Sequence, residues 1–219
     1  MNPRTLKQTM QGQAGILEML VDEPQLAEGE KCMGVAVIAH PHPLFGGTMD
    51  NKVVQTLARA FVLAKWRAVR FNFRGVGQSQ GVYDEGRGEL QDLLDVIAHM
   101  APLASQESAL SLAGFSFGSF VTSHAAQQLF PNRPIDKLVL VGTAASRFEV
   151  APIDPALHER TLVLHGEEDD TVALANVMDW ARPQSLPVTV IPGGGHFFHG
   201  QLPLLRSLVL RHLLSPLNP

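Results

Sequence analysis

Cysteine is all but missing from this chain: Cys32 is the one thiol in 219 residues. An internal disulfide and a cysteine-based zinc site are therefore excluded. Charge is scarce too, at 17% of residues, with a net formal charge of −4 and no cluster of Lys and Arg. Nucleic acid is not an expected partner. Long hydrophobic runs are absent as well. The longest, Met33 to Ala39, falls far short of the about 20 residues that a membrane helix needs. Met1 to Met10 contains no apolar core of the kind a secretion signal carries. These absences point to a cytoplasmic chain that touches neither membrane nor nucleic acid. What the chain does have is apolar side chain, 45% of its residues. That suffices for a full buried core and is too much for a disordered chain. At about 100–200 residues per domain, residues 1–219 read as a single domain.

Strand-length apolar runs alternate with segments of helical period. Met33–Ala39, Ala68–Phe73, Ala109–Ala113, Lys137–Val141, Thr161–Leu164 and Pro187–Ile191 read as strands. Lys52–Lys65, Glu89–Met100, Phe117–Phe130 (stopped by Pro131), Val172–Ala181 and Phe198–Leu214 read as helices. The stretch from Thr5 to Val21 has sparser apolar residues and carries Gly12 and Gly15, which suggests a hairpin of two edge strands. The expected fold class is α/β: a mostly parallel sheet with helices on both faces and an antiparallel hairpin at the N-terminal edge. Such sheets hold their chemistry at the carboxyl ends of the strands.

After Ala109–Ala113 comes Gly114-Phe115-Ser116-Phe117-Gly118, a G-x-S-x-G pattern between a strand and a helix. A tight turn there lifts the Ser116 hydroxyl to the start of a helix, where free N–H groups and the helix dipole favour negative charge. The N–H of Phe117 is then placed to hold an oxyanion. Serine needs a base, and after the last strand three glycines lead to His196. His196 is expected to open the final helix, with His199 one turn further in. The base needs an orienting carboxylate. His165-Gly166-Glu167-Glu168-Asp169-Asp170 follows a buried strand. Asp169 is the choice for that role; Asp170 is the alternative, read rather as a helix N-cap beside Thr171. A second oxyanion donor should come from His40-Pro41-His42-Pro43-Leu44-Phe45. Proline has no N–H, which leaves His42 or Leu44. Zinc on His40 and His42 is disfavoured, because the prolines restrict convergence of the two imidazoles and the serine motif would go unexplained. Gly75, Gly77 and Gly81 have the wrong spacing for a dinucleotide loop, so Arg74 and its glycines read as a structural turn.

HPHPLFGGTMDNKVV (40–54), FNFRGVGQSQG (71–81), AGFSFGS (113–119), HGEEDD (165–170) and GGGHFFHG (193–200) together resemble the α/β-hydrolases. The likeness is greatest to small bacterial hydrolases with a His-Pro-His-Pro-Leu-x-Gly-Gly loop. The resemblance implies a serine hydrolase needing no cofactor and no metal, with Ser116, Asp169 and His196 as its triad. Asn72 stands where many members have Asp, two residues before Arg74.

These readings converge on a carboxylesterase that cleaves a small or short-chain ester through an acyl-enzyme. A thioesterase or small-amide hydrolase would use the same groups, and a binding module that has lost turnover would keep the fold. Phe45, Phe115 and Phe197 flank the proposed centre and favour an apolar acyl group. Only some 19 residues, 142 to 160, separate Val141 from Thr161, where larger relatives insert a lid. The chain should therefore lack a cap domain and leave Ser116 reachable.

Overall fold

The computed structural model describes residues 5–101, 109–130 and 132–216. Its strands are β1 (Thr5–Gly12), β2 (Gly15–Asp22), β3 (Gly34–Ala39), β4 (Arg67–Phe71), β5 (Ala109–Phe115), β6 (Lys137–Val141), β7 (Thr161–Gly166) and β8 (Val188–Ile191). Its α-helices are α1 (Lys52–Leu63), α2 (Arg87–Met100), α3 (Phe117–Leu129), α4 (Leu174–Ala181) and α5 (Leu202–Leu214). The strands form one sheet in the order β1-β2-β4-β3-β5-β6-β7-β8. The first two pairings, β1 with β2 and β2 with β4, are antiparallel and the rest are parallel.

Strand alternation divides the core into two halves. Val35, Val37 and Ala39 of β3 join Leu138 and Leu140 of β6 on the face covered by α2 and α3. Ala36, Ile38, Val139 and Val141 point the other way, toward α1 and α5. Each central strand is thus apolar on both sides, which is why its sequence shows a run rather than a polar alternation. From β3 the chain runs through α1 to β4 on one side. It then returns through α2 to β5 on the other side of β3. The carboxyl ends of β3 and β5 therefore lie side by side, with their following helices on opposite faces of the sheet.

The N-terminal hairpin forms, but only β1 is an edge. β2 lies inside the sheet, paired with β1 on one side and β4 on the other, and its alternate residues Leu17, Met19 and Val21 are fully buried. Helix α5 begins at Leu202 rather than Phe198: Phe198 and Gly200 have φ of 51° and 75°, outside the helical region. Helix α4 begins at Leu174 rather than Val172, because Ala173 just before it has an extended backbone, with φ −59° and ψ 134°. Strand β4 stops at Phe71, and the N–H of Phe73 turns to His40. Helix α1 ends at Leu63, and Lys65 follows with a left-handed φ of 67°. Pro131, read as a helix stop, lies outside the described residues. Between β6 and β7 the chain makes a loop and one short 3-10 helix (Pro155–Arg160), and no lid is inserted.

His40, at the end of β3, is fully buried. Its Nε2 accepts the Phe73 N–H at 3.1 Å and its Nδ1 donates to the Pro41 carbonyl at 2.6 Å. The imidazole thereby joins the ends of β3 and β4 and serves as a structural link. Burial pushes its pKa down from 6.5 to about 4, against the opposing hydrogen bond to Pro41. Between those values the unfolded chain takes up a proton that the folded chain does not. Stability is therefore lost as pH falls through that window, by about 2 kcal/mol from this histidine at pH 5. The urea midpoint should drop between pH 7 and pH 5, and drop less in His40→Asn.

Candidate functional site

Ser116 occupies the single residue between β5 and α3, with φ 56° and ψ −118°. A non-glycine backbone held there stores about 1–3 kcal/mol of strain, which the surroundings must enforce. They do so by close backbone contact. A Cβ on Gly118 would sit 2.3 Å from the Ala39 carbonyl oxygen, and one on Gly114 would sit 2.4 Å from Gly118. The N–H of Ser116 donates to the Val141 carbonyl at 2.8 Å. Ser119 closes the turn: its hydroxyl donates to the Gly114 carbonyl at 2.7 Å and accepts the Val141 N–H at 3.1 Å. Sequence reasoning passes over Ser119, because one of its partners, Val141, lies 22 residues on, on β6.

The acidic loop after β7 gives its residues different work. Asp169 is buried, whereas Glu167, Glu168 and Asp170 are exposed. Asp169 Oδ1 accepts the N–H groups of Thr171 (2.9 Å) and Val172 (2.7 Å). Its Oδ2 lies 2.7 Å from His196 Nδ1, and His196 Nε2 lies 3.0 Å from Ser116 Oγ. Burial alone would raise the Asp169 carboxyl, but the hydrogen bonds from His196 and Val172, with the charges of His196 and His165, hold it below the usual carboxylate range. Asp170 caps no helix among the described residues, and it accepts a hydrogen bond from the Thr171 hydroxyl at 3.3 Å.

His196 sits in a turn rather than on α5, and His199 is an exposed loop residue. The turn is laced to the acidic loop: the Glu168 N–H donates to the Gly194 carbonyl at 2.8 Å and the Gly193 N–H to Glu167 Oε2 at 2.9 Å. Space for the imidazole comes from Gly142, just past β6, where a Cβ would lie 3.3 Å from His196 Cε1. Sequence reasoning also passed over His165. Fully buried, it donates from Nε2 to the Val172 carbonyl at 2.8 Å and lies 3.5 Å from Asp169 Oδ2. Desolvation lowers its pKa, which favours the neutral ring.

In the 40–47 loop, Leu44 is exposed and its N–H already donates to His42 Nδ1 at 3.2 Å. The His42 N–H has no acceptor among the described residues. With Nδ1 accepting, His42 Nε2–H donates to the Tyr83 hydroxyl at 3.2 Å. A cavity of about 450 Å³ opens here, with Ser116 and His196 on its wall beside Phe117 and Phe148. Phe45 and Phe197 line it. Phe115 does not: it is fully buried and packs beneath the His196 ring at 5.0 Å. Phe148 and Arg147 line the same cavity and carried no sequence signal.

The glycine-rich turn after β4 is structural. Arg74 grips Asp92 through Nη2 (2.7 Å) and Nε (3.0 Å). Asn72 Oδ1 accepts the Met49 N–H at 2.8 Å while its amide donates to Glu18. A second cavity, of about 410 Å³, lies by α1 and α5 between Arg59, Arg70 and Arg206.

The profile described as alpha/beta hydrolase fold matches residues 42–158. An uncharacterized protein of Rickettsia prowazekii, RP471, is 32% identical over 178 residues, covering 75% of this chain and 71% of its own. A Xanthomonas campestris a/b serine hydrolase without lid, XC6422, is 32% identical at a TM-score of 0.84, covering 100% of this chain and 99% of its own. An alpha-beta serine hydrolase homologue of Coxiella burnetii is 36% identical at a TM-score of 0.79, covering 98% and 99%.

The backbone contact at Gly118 makes a sharp expectation. Gly118→Ala should cost about 3 kcal/mol of stability, because the opposing atoms are main chain and cannot rotate away. Denaturant unfolding measures it.

Proposed function

Because this chain belongs to the α/β-hydrolase fold family, an enzyme superfamily, we propose that it is a carboxylesterase acting on small or short-chain esters with Ser116, His196 and Asp169 as its catalytic triad. The observation that carries the reading is the unbroken hydrogen-bonded path from Ser116 Oγ through His196 to Asp169, at 3.0 and 2.7 Å, beside a cavity. His196 Nε2 takes the Ser116 proton as the oxygen attacks the ester carbonyl. Asp169 holds the proton on Nδ1 and stabilises the imidazolium that forms. The same imidazolium then protonates the departing alcohol. Water, deprotonated by His196, releases the acid from the acyl-enzyme.

The tetrahedral oxyanion is held by the N–H of Phe117, at the head of α3, and by the N–H of His42. Leu44 is set aside because its N–H is already engaged by His42 Nδ1. No cofactor takes part in this scheme, and the whole chain acts as one catalytic domain.

Turnover of a p-nitrophenyl butyrate-type ester should fall about 10⁶-fold in Ser116→Ala and about 10⁴-fold in Asp169→Asn. A fluorophosphonate should label wild type at Ser116 and fail to label Ser116→Ala. Near-wild-type turnover in Ser116→Ala would overturn the assignment. A preference for thioesters or amides in the same screen would move the substrate class and leave the triad standing.

A further inference from the structure

The cavity beside Ser116 is walled by aromatic rings, yet it holds one permanent charge. Its ionisable side chains are His42, His196 and Arg147. His42 is disfavoured from charging by burial and by the positive field of Arg147, and its Nδ1 is occupied in accepting the Leu44 N–H. His196 must be neutral to take a proton from serine. The nearby carboxylate, Asp169, is buried behind His196 and already accepts from Thr171, Val172 and His196. It is not a counter-ion for the cavity.

Arg147 lies in the loop after β6, just before Phe148, and its side chain is exposed. It makes no ion pair among the described residues. Its guanidinium carbon lies 5.8 Å from the centroid of the Phe45 ring. Phe45 comes from the loop after β3, so side chains from opposite banks of the cleft meet there. Contact with a ring face engages the plane of a guanidinium and leaves its in-plane N–H donors available. Those donors match a carboxylate in a paired geometry that an ammonium does not reproduce. The ring of Phe45, 73% exposed, offers an apolar surface beside the charge.

We propose that the substrates of this site are anionic esters. They carry a free carboxylate besides the bond that is cut, and Arg147 binds that carboxylate as the specificity-determining residue. The inference rests on the serine-esterase reading and deepens it. The apolar linker of the substrate lies among Phe45, Phe148 and Phe197, and the carboxylate reaches the guanidinium. The reaction itself is unchanged: water adds across the ester, and the products are an alcohol or phenol and an acid, one of which retains the second carboxylate.

Matched pairs test this. On the leaving-group side, 4-carboxyphenyl butyrate is compared with its 4-methoxycarbonyl analogue, whose leaving group is also electron-poor. On the acyl side, monoethyl adipate is compared with ethyl hexanoate. Wild type should favour the anionic member of at least one pair, by about tenfold or more in kcat/KM at low salt. The preference should shrink as salt rises. In Arg147→Gln that anionic-to-neutral ratio should fall about tenfold, mainly through KM. Arg147→Lys should restore part of it, and Arg147→Glu should invert it. Adipate or benzoate should protect Ser116 from fluorophosphonate in wild type and not in Arg147→Gln.

A ratio that is the same in wild type and Arg147→Gln for both pairs, with no carboxylate protection, would overturn the inference while neutral-ester turnover keeps the esterase reading. Absence of both turnover and Ser116 labelling would overturn the esterase reading, and this inference with it.

Discussion

Between Gly118 and the Ala39 carbonyl there is no room for a methyl group, and the geometry of the whole site follows from that contact. Seating the first turn of α3 directly on the end of β3 places Ser116 above the sheet and bends its backbone to φ 56°. The same seating brings the free N–H groups of α3 beside the loop that holds His42. Fastening of the turn to β6, through Ser116 and Ser119, sets its distance from Gly142 and so from the imidazole. The proposed nucleophile, base and oxyanion donors are thus positioned by main-chain packing, with few degrees of freedom left to flexible side chains.

A second layer keeps the charges in order. Asp169 stays anionic in a buried setting because two main-chain N–H groups and His196 surround its oxygens. His165 stands behind it and ties the Val172 carbonyl, so the loop that presents the carboxylate is held from both ends. His40 does comparable work three strands away, where its neutral ring joins β3 to β4. Imidazoles with very different roles are separated by what occupies their nitrogens. His40 and His165 are turned to main chain, and only His196 faces both a carboxylate and a hydroxyl.

The legible part of the sequence was local. G-x-S-x-G after a strand announces its turn because the glycines answer a contact inside that turn. Asp169 and His196 stand out in the sequence by their places after strands, and His196 lies within hydrogen-bonding reach of both Asp169 and Ser116. What stayed hidden depends on distant segments. Gly142 matters only because His196 lies over it, and Ser119 only because β6 passes beside it. Arg147 gave no signal, since nothing in its neighbourhood of sequence reveals that Phe45 sits across the cleft. The start of α5 is not legible in the sequence, because Phe198, buried and apolar, fits the helical stripe while its backbone is left-handed. Asp170 reads as a cap in the sequence, whereas the N–H groups of Thr171 and Val172 that it would serve donate to Asp169 instead.

The two ends of the sheet differ in construction but share a property. β8 is four residues long and stands between Pro187 and Pro192, so it offers little ladder and is bracketed by residues that break one. β1 is longer, but it carries Lys7, Gln8 and Gln11, and Lys7 reaches the Glu18 carboxylate at 3.8 Å on β2. A neighbouring strand approaching either border meets an unfavourable template. The sheet therefore carries its own defence against edge-to-edge stacking with other chains, a safeguard against aggregation written into its outermost residues.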